Sequence, residues 1–359
     1  MKEREPGEEP GSLHVWVDAI PLDGQAARLE VVGRSWYHRS RRILVLTSRP
    51  SGREVCPTKM KEITKRQARR FVLAHQGLGP EYAWKGKRGI MAAIRRLGCI
   101  QFDPLDVVGR NPDLVLQARV VDYRPAMLES LLYEERKLVD GWDKNMSIYP
   151  VEDWPYFHRH REAARENPRK NQAAVQAVLP EVRKAIETRG PLSSIDLDLD
   201  TTVDWSWAPT RVARAALESM VSWGVLIVHH RVHTRKVYDF AARHVSAEVL
   251  SAPDPNVSEA AYHDWYVKRR IGSTGLLWNR AGGAWLGIRG FKSKERRAAL
   301  GRLLERGEVA EVRVEGLGPR FYVRREDERM LEAAAPAAQG SRRAIIVAPL
   351  DNVMWDRSL

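Results

Sequence analysis

Cysteine is almost missing from this chain: 359 residues carry two, Cys56 and Cys99. Two thiols build neither a disulfide framework nor a four-ligand zinc site, so stability has to come from buried apolar side chains. Long apolar runs are missing as well, since no stretch approaches the ~18 residues that a membrane-crossing helix needs. The opening residues, Met1 to Gly11, are acidic and rich in Pro and Gly, unlike the basic-then-apolar order of a secretory signal. These features lead us to expect a reduced, cytoplasmic chain. Acidic residues are the minority charge, with 46 Asp and Glu against 59 Lys and Arg, a formal net charge of +13 and a pI near 9.8. Such an excess favours a polyanionic partner through counterion release. The plain alternative is a ribosome-associated protein, or a merely basic one from an Arg-rich proteome.

Ligand clusters are equally scarce. His229 and His233 would share one face of a strand, but a hairpin tip at phosphate level explains them better than a metal. Asp196, Asp198 and Asp200 imitate the start of a calcium loop, yet Thr201 replaces the needed Gly and Trp207 the bidentate Glu. Gly282-Gly283 lacks the Lys-Ser/Thr of a phosphate loop. Cys99 has no His close in sequence and reads as a buried thiol. No metal or organic cofactor is expected.

What is present is order along the chain. Residues 1–59 hold short apolar runs amid Arg, Gly and Pro and read as a poorly ordered extension, with Met60 as the expected natural start. Thr64-Lys65-Arg66-Gln67 has the form of a capping box. Helices are expected over 64–76, over 87–97 with Gly98 as stop, and over 112–120 and 125–137 with Pro112 and Pro125 in their first turns. No wing is obvious in this first module, 60–150. The second module, 151–250, shows a helix over 180–189 with Pro180 in its first turn. Another follows over 209–223, with Val212, Ala216, Met220 and Trp223 on one stripe, and then strands at 225–228 and 236–240 around a basic turn. The third, 251–330, repeats that order: a helix over 257–270, a Gly-rich linker, a helix over 292–306, and a hairpin of Val309 to Val314 with Arg320 to Val323. The expected fold is mostly α with small β-hairpin wings (α+β), as tandem winged-helix modules in a concave arrangement. A linker, Ala333 to Gln339, opens the last segment, 331–359.

Between the second and third helices lies Ile100-Gln101-Phe102-Asp103-Pro104-Leu105. In an extended backbone Gln101 and Asp103 project together while Phe102 turns inward. An adjacent amide and carboxylate can orient a water molecule and stabilise positive charge on a sugar. Alone the pattern is weak, because a Gln-x-Asp arises roughly once by chance at this length. Read from residues only, the simpler account is that Asp103-Pro104 opens a turn and Gln101 is a surface residue.

Four segments taken together resemble the bacterial winged-helix DNA glycosylases that unhook interstrand crosslinks and remove alkylated purines, of the YcaQ/AlkZ type. Ile100 to Leu105 looks like the family's catalytic Gln-x-Asp strand. Leu132-Tyr133-Glu134-Glu135-Arg136-Lys137-Leu138, running to Trp142, is similar to the segment after its first module. Gly224-Val225-Leu226 through Arg231, Arg235 and Tyr238-Asp239 resembles its second wing. Ala348-Pro349-Leu350-Asp351-Asn352-Val353-Met354-Trp355-Asp356-Arg357 is similar to its Pro-Phe-Asp…Trp-Asp-Arg motif, with Leu350 in place of Phe. The segment Asp143 to Ser147 departs from the His-containing version of many members, and relatives continue into a further β-rich part, so a shortened C-terminus is expected.

The resemblance implies a monomeric DNA repair glycosylase, nucleoid-associated, acting on double-stranded DNA with alkylation damage. Asp103 would stabilise the sugar cation and accept a proton from water, and Gln101 would hold that water. No lysine is evident at the site, so a monofunctional enzyme is expected. Arg211, Arg214, Arg231 and Arg235 either contact phosphates or stand as solvated surface. Trp142 is expected in the core. The rival reading is a non-catalytic winged-helix DNA binder or regulator.

Overall fold

The computed structural model describes residues 60–359, apart from 104, 105, 107, 167–171, 206, 207, 335–342, 357 and 358. Everything described belongs to one compact unit, Lys59–Leu359. The expected extension, linker residues 335–339, and Pro104, Leu105, Trp207 and Arg357 of the motifs lie outside the described residues.

Strand β1 (Lys61–Ile63) leads into helix α1 (Lys65–His75). Thr64 caps it as predicted, its hydroxyl accepting from the Gln67 backbone N–H at 3.1 Å. The reciprocal half of the capping box is not made. The Gln67 amide donates instead to the Leu331 carbonyl at 3.1 Å, a tertiary partner displacing a local one.

Strand β2 (Trp84–Lys85), helix α2 (Gly86–Leu97), strand β3 (Ile100–Gln101), helix α3 (Asn111–Gln117), strand β4 (Val120–Val121) and helix α4 (Pro125–Glu129) follow. The α2 stripe forms as its period requires: Ile90, Ile94 and Leu97 are fully buried, each contributing about 1.5–3 kcal/mol. Pro112 and Pro125 stand in the first turns of α3 and α4. The helix expected to reach 137 is shorter, since after α4 the chain widens into a π turn, Ser130–Glu134.

A hairpin comes next, where none was legible: β5 (Leu138–Asp143) and β6 (Asn145–Pro150) pair antiparallel. Strand β3 adds to it in the order β3-β6-β5, with Gln101 opposite Ser147. The apolar residues that bury this sheet, Leu138, Val139, Ile148 and Tyr149, fall in two short pairs. Asp140, Gly141, Asp143, Lys144 and Asn145 between them hide the strand period.

Helices α5 (His158–Glu166) and α6 (Gln172–Arg189) lead to strands β7 (Thr202–Val203) and β8 (Thr210–Arg211), helix α7 (Val212–Ser222) and the hairpin β9 (Leu226–Val232) with β10 (Arg235–Phe240). Pro180 corrects the sequence reading: it lies inside α6, not in a first turn. An interior proline costs about 3 kcal/mol. The helix persists because Val175, Val182 and Ile186 bury beside Ala216 and Met220 of α7 and Val228 and Tyr238 of the hairpin.

Helix α8 (Ala247–Ser251), helix α9 (Glu259–Thr274), strand β11 (Leu277–Trp278), helix α10 (Ser293–Glu305), strands β12 (Val309–Val314) and β13 (Arg320–Arg324), and helix α11 (Glu328–Ala333) complete the chain. Their sheet has the order β1-β12-β13-β11. Strand β1 runs parallel to β12, Ile63 opposite Val314, and covers an edge that would otherwise stay open. The order along the chain puts residues 61–75 in the first module, 60–150. In space Ile63 and Phe71 share a core with Val312, Phe321 and Val323. The architecture is α+β with small sheets, and among the described residues no helix is long and apolar enough to cross a membrane.

Candidate active site

Gln101 ends β3, next to the hairpin, and is buried. Its backbone carbonyl accepts from the Asn111 side-chain amide at 2.7 Å. Phe102 extends the pairing, its N–H donating to the Met146 carbonyl at 2.9 Å, and its ring enters the core as alternation requires. Asp103 follows, half-buried.

The side-chain oxygen of Gln101 accepts from Lys144 Nζ at 2.6 Å. A lysine is therefore at the site, which overturns the expectation that none is. It was missed because 43 positions separate it from Gln101 and only the unrecognised hairpin joins them. Lys144 occupies the turn between β5 and β6, its ammonium 4.7 Å from the centre of the Trp355 ring. Burial, aided by the nearby Arg270 guanidinium, pulls its pKa down to about 8.

The turn is anchored from α9. Asp143 is fully buried between Arg269 Nε at 2.9 Å and Arg270 Nη2 at 2.7 Å, the latter an ion contact without hydrogen-bond geometry. Burial alone would raise the Asp143 carboxyl, but the two guanidiniums outweigh it and hold it low. Arg269 also reaches Asp153 at 2.7 Å and the Gly98 carbonyl at 2.8 Å. Gly287 lies against the same turn at φ +85°, where an added Cβ would fall 2.3 Å from the Asp143 carbonyl oxygen. Only glycine fits that approach without strain. Cys99 is buried as expected, and burial with the Asp143 charge pushes its thiol up to about 11.

The segment from Ala348 to Asp356 braces the strand from behind. Arg119 and Asp351 form a fully buried bidentate pair at 2.7 Å for each bond. Asn352 donates to the carbonyls of Leu97 and Cys99 at 3.2 and 3.1 Å. Asn111 links strand and brace, donating to Gln101 and accepting from the Leu350 N–H at 3.3 Å. Trp355, whose indole donates to the Leu350 carbonyl at 3.2 Å, supplies the ring beside Lys144.

The arginines separate into two kinds. Arg231 turns inward, its side chain 4% exposed, bonded to Asp140 and to the Tyr133 hydroxyl, with its guanidinium 3.7 Å from the centre of the Phe102 ring. It is committed to packing the second hairpin against the candidate strand and offers nothing to a phosphate. Arg211 is half-buried, held by Asp200 and the Leu197 carbonyl. Arg214 is exposed on α7 and paired with Glu218 at 3.1 Å, and Arg235 is exposed at the start of β10. Trp142 corrects its expected burial: it stands 49% exposed on β5, two residues from Lys144. His229 faces His230, Nδ1 to Nδ1 at 2.8 Å, and packs edge-on against His244. Among the described residues no group of three His, Cys, Asp or Glu side chains is arranged to hold a metal.

This geometry is an amide fixed at a strand end, a carboxylate two residues on, and a clasp of distant residues around them. A family model described as AlkZ-like, DNA glycosylase AlkZ-like, matches residues 94–359 and so takes in Gln101, Asp103, the hairpin that carries Lys144 and the C-terminal brace. The chain belongs to the AlkZ-like DNA glycosylase family. Its chemistry is accordingly that of a DNA repair glycosylase, which hydrolyses an N-glycosidic bond. Among solved structures the chain is similar to the Streptomyces sahachiroi DNA glycosylase AlkZ, with a TM-score of 0.53 and 18% identity. That match covers 77% of this chain and 74% of that one. At this identity it speaks for the AlkZ-like fold.

Proposed function

We propose that this AlkZ-like chain removes alkylated purines from double-stranded DNA, acting as a monomer, with Gln101 and Asp103 as its catalytic pair. The observation that carries the reading is the fixed Gln101, bonded at its side-chain oxygen and at its backbone carbonyl, two residues before Asp103. Alkylation at N7 or N3 already makes the purine cationic, so it leaves without a protein acid. The C1′–N bond breaks and its electron pair neutralises the base, leaving oxocarbenium-like charge on the sugar. Asp103 stabilises that charge. Water held by Gln101 adds its oxygen to C1′ and passes a proton to Asp103.

The product is a free base and an intact abasic sugar, a monofunctional outcome, because the Lys144 ammonium is engaged by Gln101 rather than held apart as an amine nucleophile. The two helix-then-hairpin segments, α7 with β9–β10 and α10 with β12–β13, serve as winged-helix modules on a concave, positive DNA face. Arg214 and Arg235 contact phosphates there, and the nucleoid is the place of work. Interstrand crosslinks at purine N7 fit the same chemistry.

The test incubates the protein with duplex DNA carrying N7-methylguanine and reveals abasic sites with hot alkali. Strand cleavage that Asp103→Asn abolishes, with DNA binding retained, supports the proposal. Tight binding without base release refutes it and favours a non-catalytic DNA binder.

A further inference from the structure

We propose that Lys144 is a positioning residue that locks the Gln101 side chain with its amide NH2 group, not its oxygen, turned toward the substrate. The inference rests on the glycosylase reading and deepens it. Lysine has three donors and no acceptor, so only the oxygen end of the amide can face Nζ at 2.6 Å. A half-turn of the amide would set donor against donor. One charge-assisted bond therefore chooses between two side-chain orientations that are otherwise nearly equivalent.

The consequence is chemical. With Oε1 held by the ammonium, Gln101 grips the attacking water by donating to one of its lone pairs. The other lone pair stays free for C1′, and an O–H stays free for Asp103. An amide flipped the other way would accept an O–H instead and compete with Asp103 for the proton.

Lys144 is bonded on one side, stacked on another and set among charged and titratable groups. Gln101 faces it from β3, the Trp355 ring from the C-terminal brace at 4.7 Å, Arg270 from α9, Asp143 from its own hairpin, and Cys99 from just before β3. Of the titratable members, Asp143 is held low, Arg270 is raised and the Cys99 thiol stands near 11. Between pH 6 and 10 the group in this cluster that changes charge is Lys144, whose pKa of about 8 lies inside that range. Loss of its proton weakens the grip on Oε1, so the rate should fall above that pH.

The experiment pairs kinetics with a direct view of the lysine. Single-turnover release of N7-methylguanine is followed from pH 6 to 10 for wild type, Lys144→Met and Asp103→Asn, with affinity measured on a duplex carrying a tetrahydrofuran abasic analogue. In wild type the rate should decline above about pH 8. Lys144→Met should be slower by roughly 10- to 100-fold, without that decline, and with affinity changed less than about twofold. Carbon-13 NMR of the lysine Cε should show one resonance titrating near pH 8 that vanishes in Lys144→Met and shifts in Gln101→Leu. A Lys144→Met protein at full rate, or one that keeps the alkaline decline, overturns the inference. So does a borohydride-trapped DNA adduct at Lys144, which would make it a nucleophile. A wild type that releases no base sinks the glycosylase reading instead, and the response of the lysine resonance to Gln101→Leu then still decides whether the ammonium holds the amide.

Discussion

Replacing Asp351 by Asn tests whether the C-terminal brace holds the site together. In the native fold Asp351 Oδ1 accepts from Arg119 Nη2 at 2.7 Å and from the Val353 N–H at 3.0 Å, while Oδ2 accepts from Arg119 Nη1 at 2.7 Å. Both side chains are fully buried. Asparagine keeps one oxygen for the first two bonds and turns an NH2 toward Arg119 Nη1, donor against donor. Removing one partner of a buried ion pair costs about 3–5 kcal/mol. Arg119 retains the carbonyls of Gln76 and Val115 at 2.8 and 2.9 Å, which softens the loss toward the lower figure. A cost of about 3 kcal/mol lowers Tm by roughly 6 °C at about 2 °C per kcal/mol, the scale for a larger domain. Urea and thermal unfolding read this directly. Because Leu350 bonds the Asn111 side chain that holds the Gln101 carbonyl, and Asn352 bonds the Leu97 and Cys99 carbonyls just before that strand, base release should fall more than DNA affinity. A double variant, Arg119→Met with Asp351→Leu, should be more stable than either single one, since it leaves no lone buried charge. An Asp351→Asn protein within about 1 kcal/mol of wild type, at full rate, refutes the reasoning.

Gly287→Ala should destabilise the protein by about 1–3 kcal/mol and slow base release, because its Cβ would strike the Asp143 carbonyl and the backbone there is left-handed; thermal melts and single-turnover rates check this. Arg231→Met should cost about 3 kcal/mol by stranding the Asp140 carboxylate, yet leave the salt dependence of DNA binding unchanged. Arg235→Ala should do the opposite, lowering the slope of log affinity against log salt by about 1 with little change in Tm, as fluorescence titrations over a salt series would show. Trp142→Ala should barely move Tm, since the ring is half exposed, but weaken binding to damaged duplex if the ring lies against DNA. Equal affinity for both proteins argues that it does not.

The helices with strong local signals were legible. Thr64, Gly98 and the stripe of Ile90, Ile94 and Leu97 mark α1 and α2 because capping and a 3.6-residue period act within a single element. Strands β9, β10, β12 and β13 announced themselves by apolar runs around a turn. The β5–β6 hairpin did not, because polar residues and a glycine occupy the positions where a strand normally displays its period. Lys144 is hidden with it, and Trp142, a large apolar side chain expected in the core, is half exposed on the same hairpin. The role of Asp351 and Asn352 was likewise out of reach: a motif shows that residues recur, while the Arg119 and Leu97 partners that explain them lie more than 200 positions away. Arg231 shows the converse. A basic residue on a hairpin suggests a phosphate contact, and only the approach of Phe102 and Asp140 reveals an inward use.

Pairing β1 with β12 has a consequence for how the molecule is made. Ile63 has no strand to lie beside until Val314 has been synthesised. At ~5–20 residues per second that wait lasts on the order of tens of seconds. Throughout it, Phe71 and the rest of the α1 apolar stripe must be shielded by something other than their final neighbours. A chain cut short before the last hairpin would leave Ile63 and the α1 stripe without the strands they bury against, so the pace of synthesis decides how long that apolar surface stays uncovered.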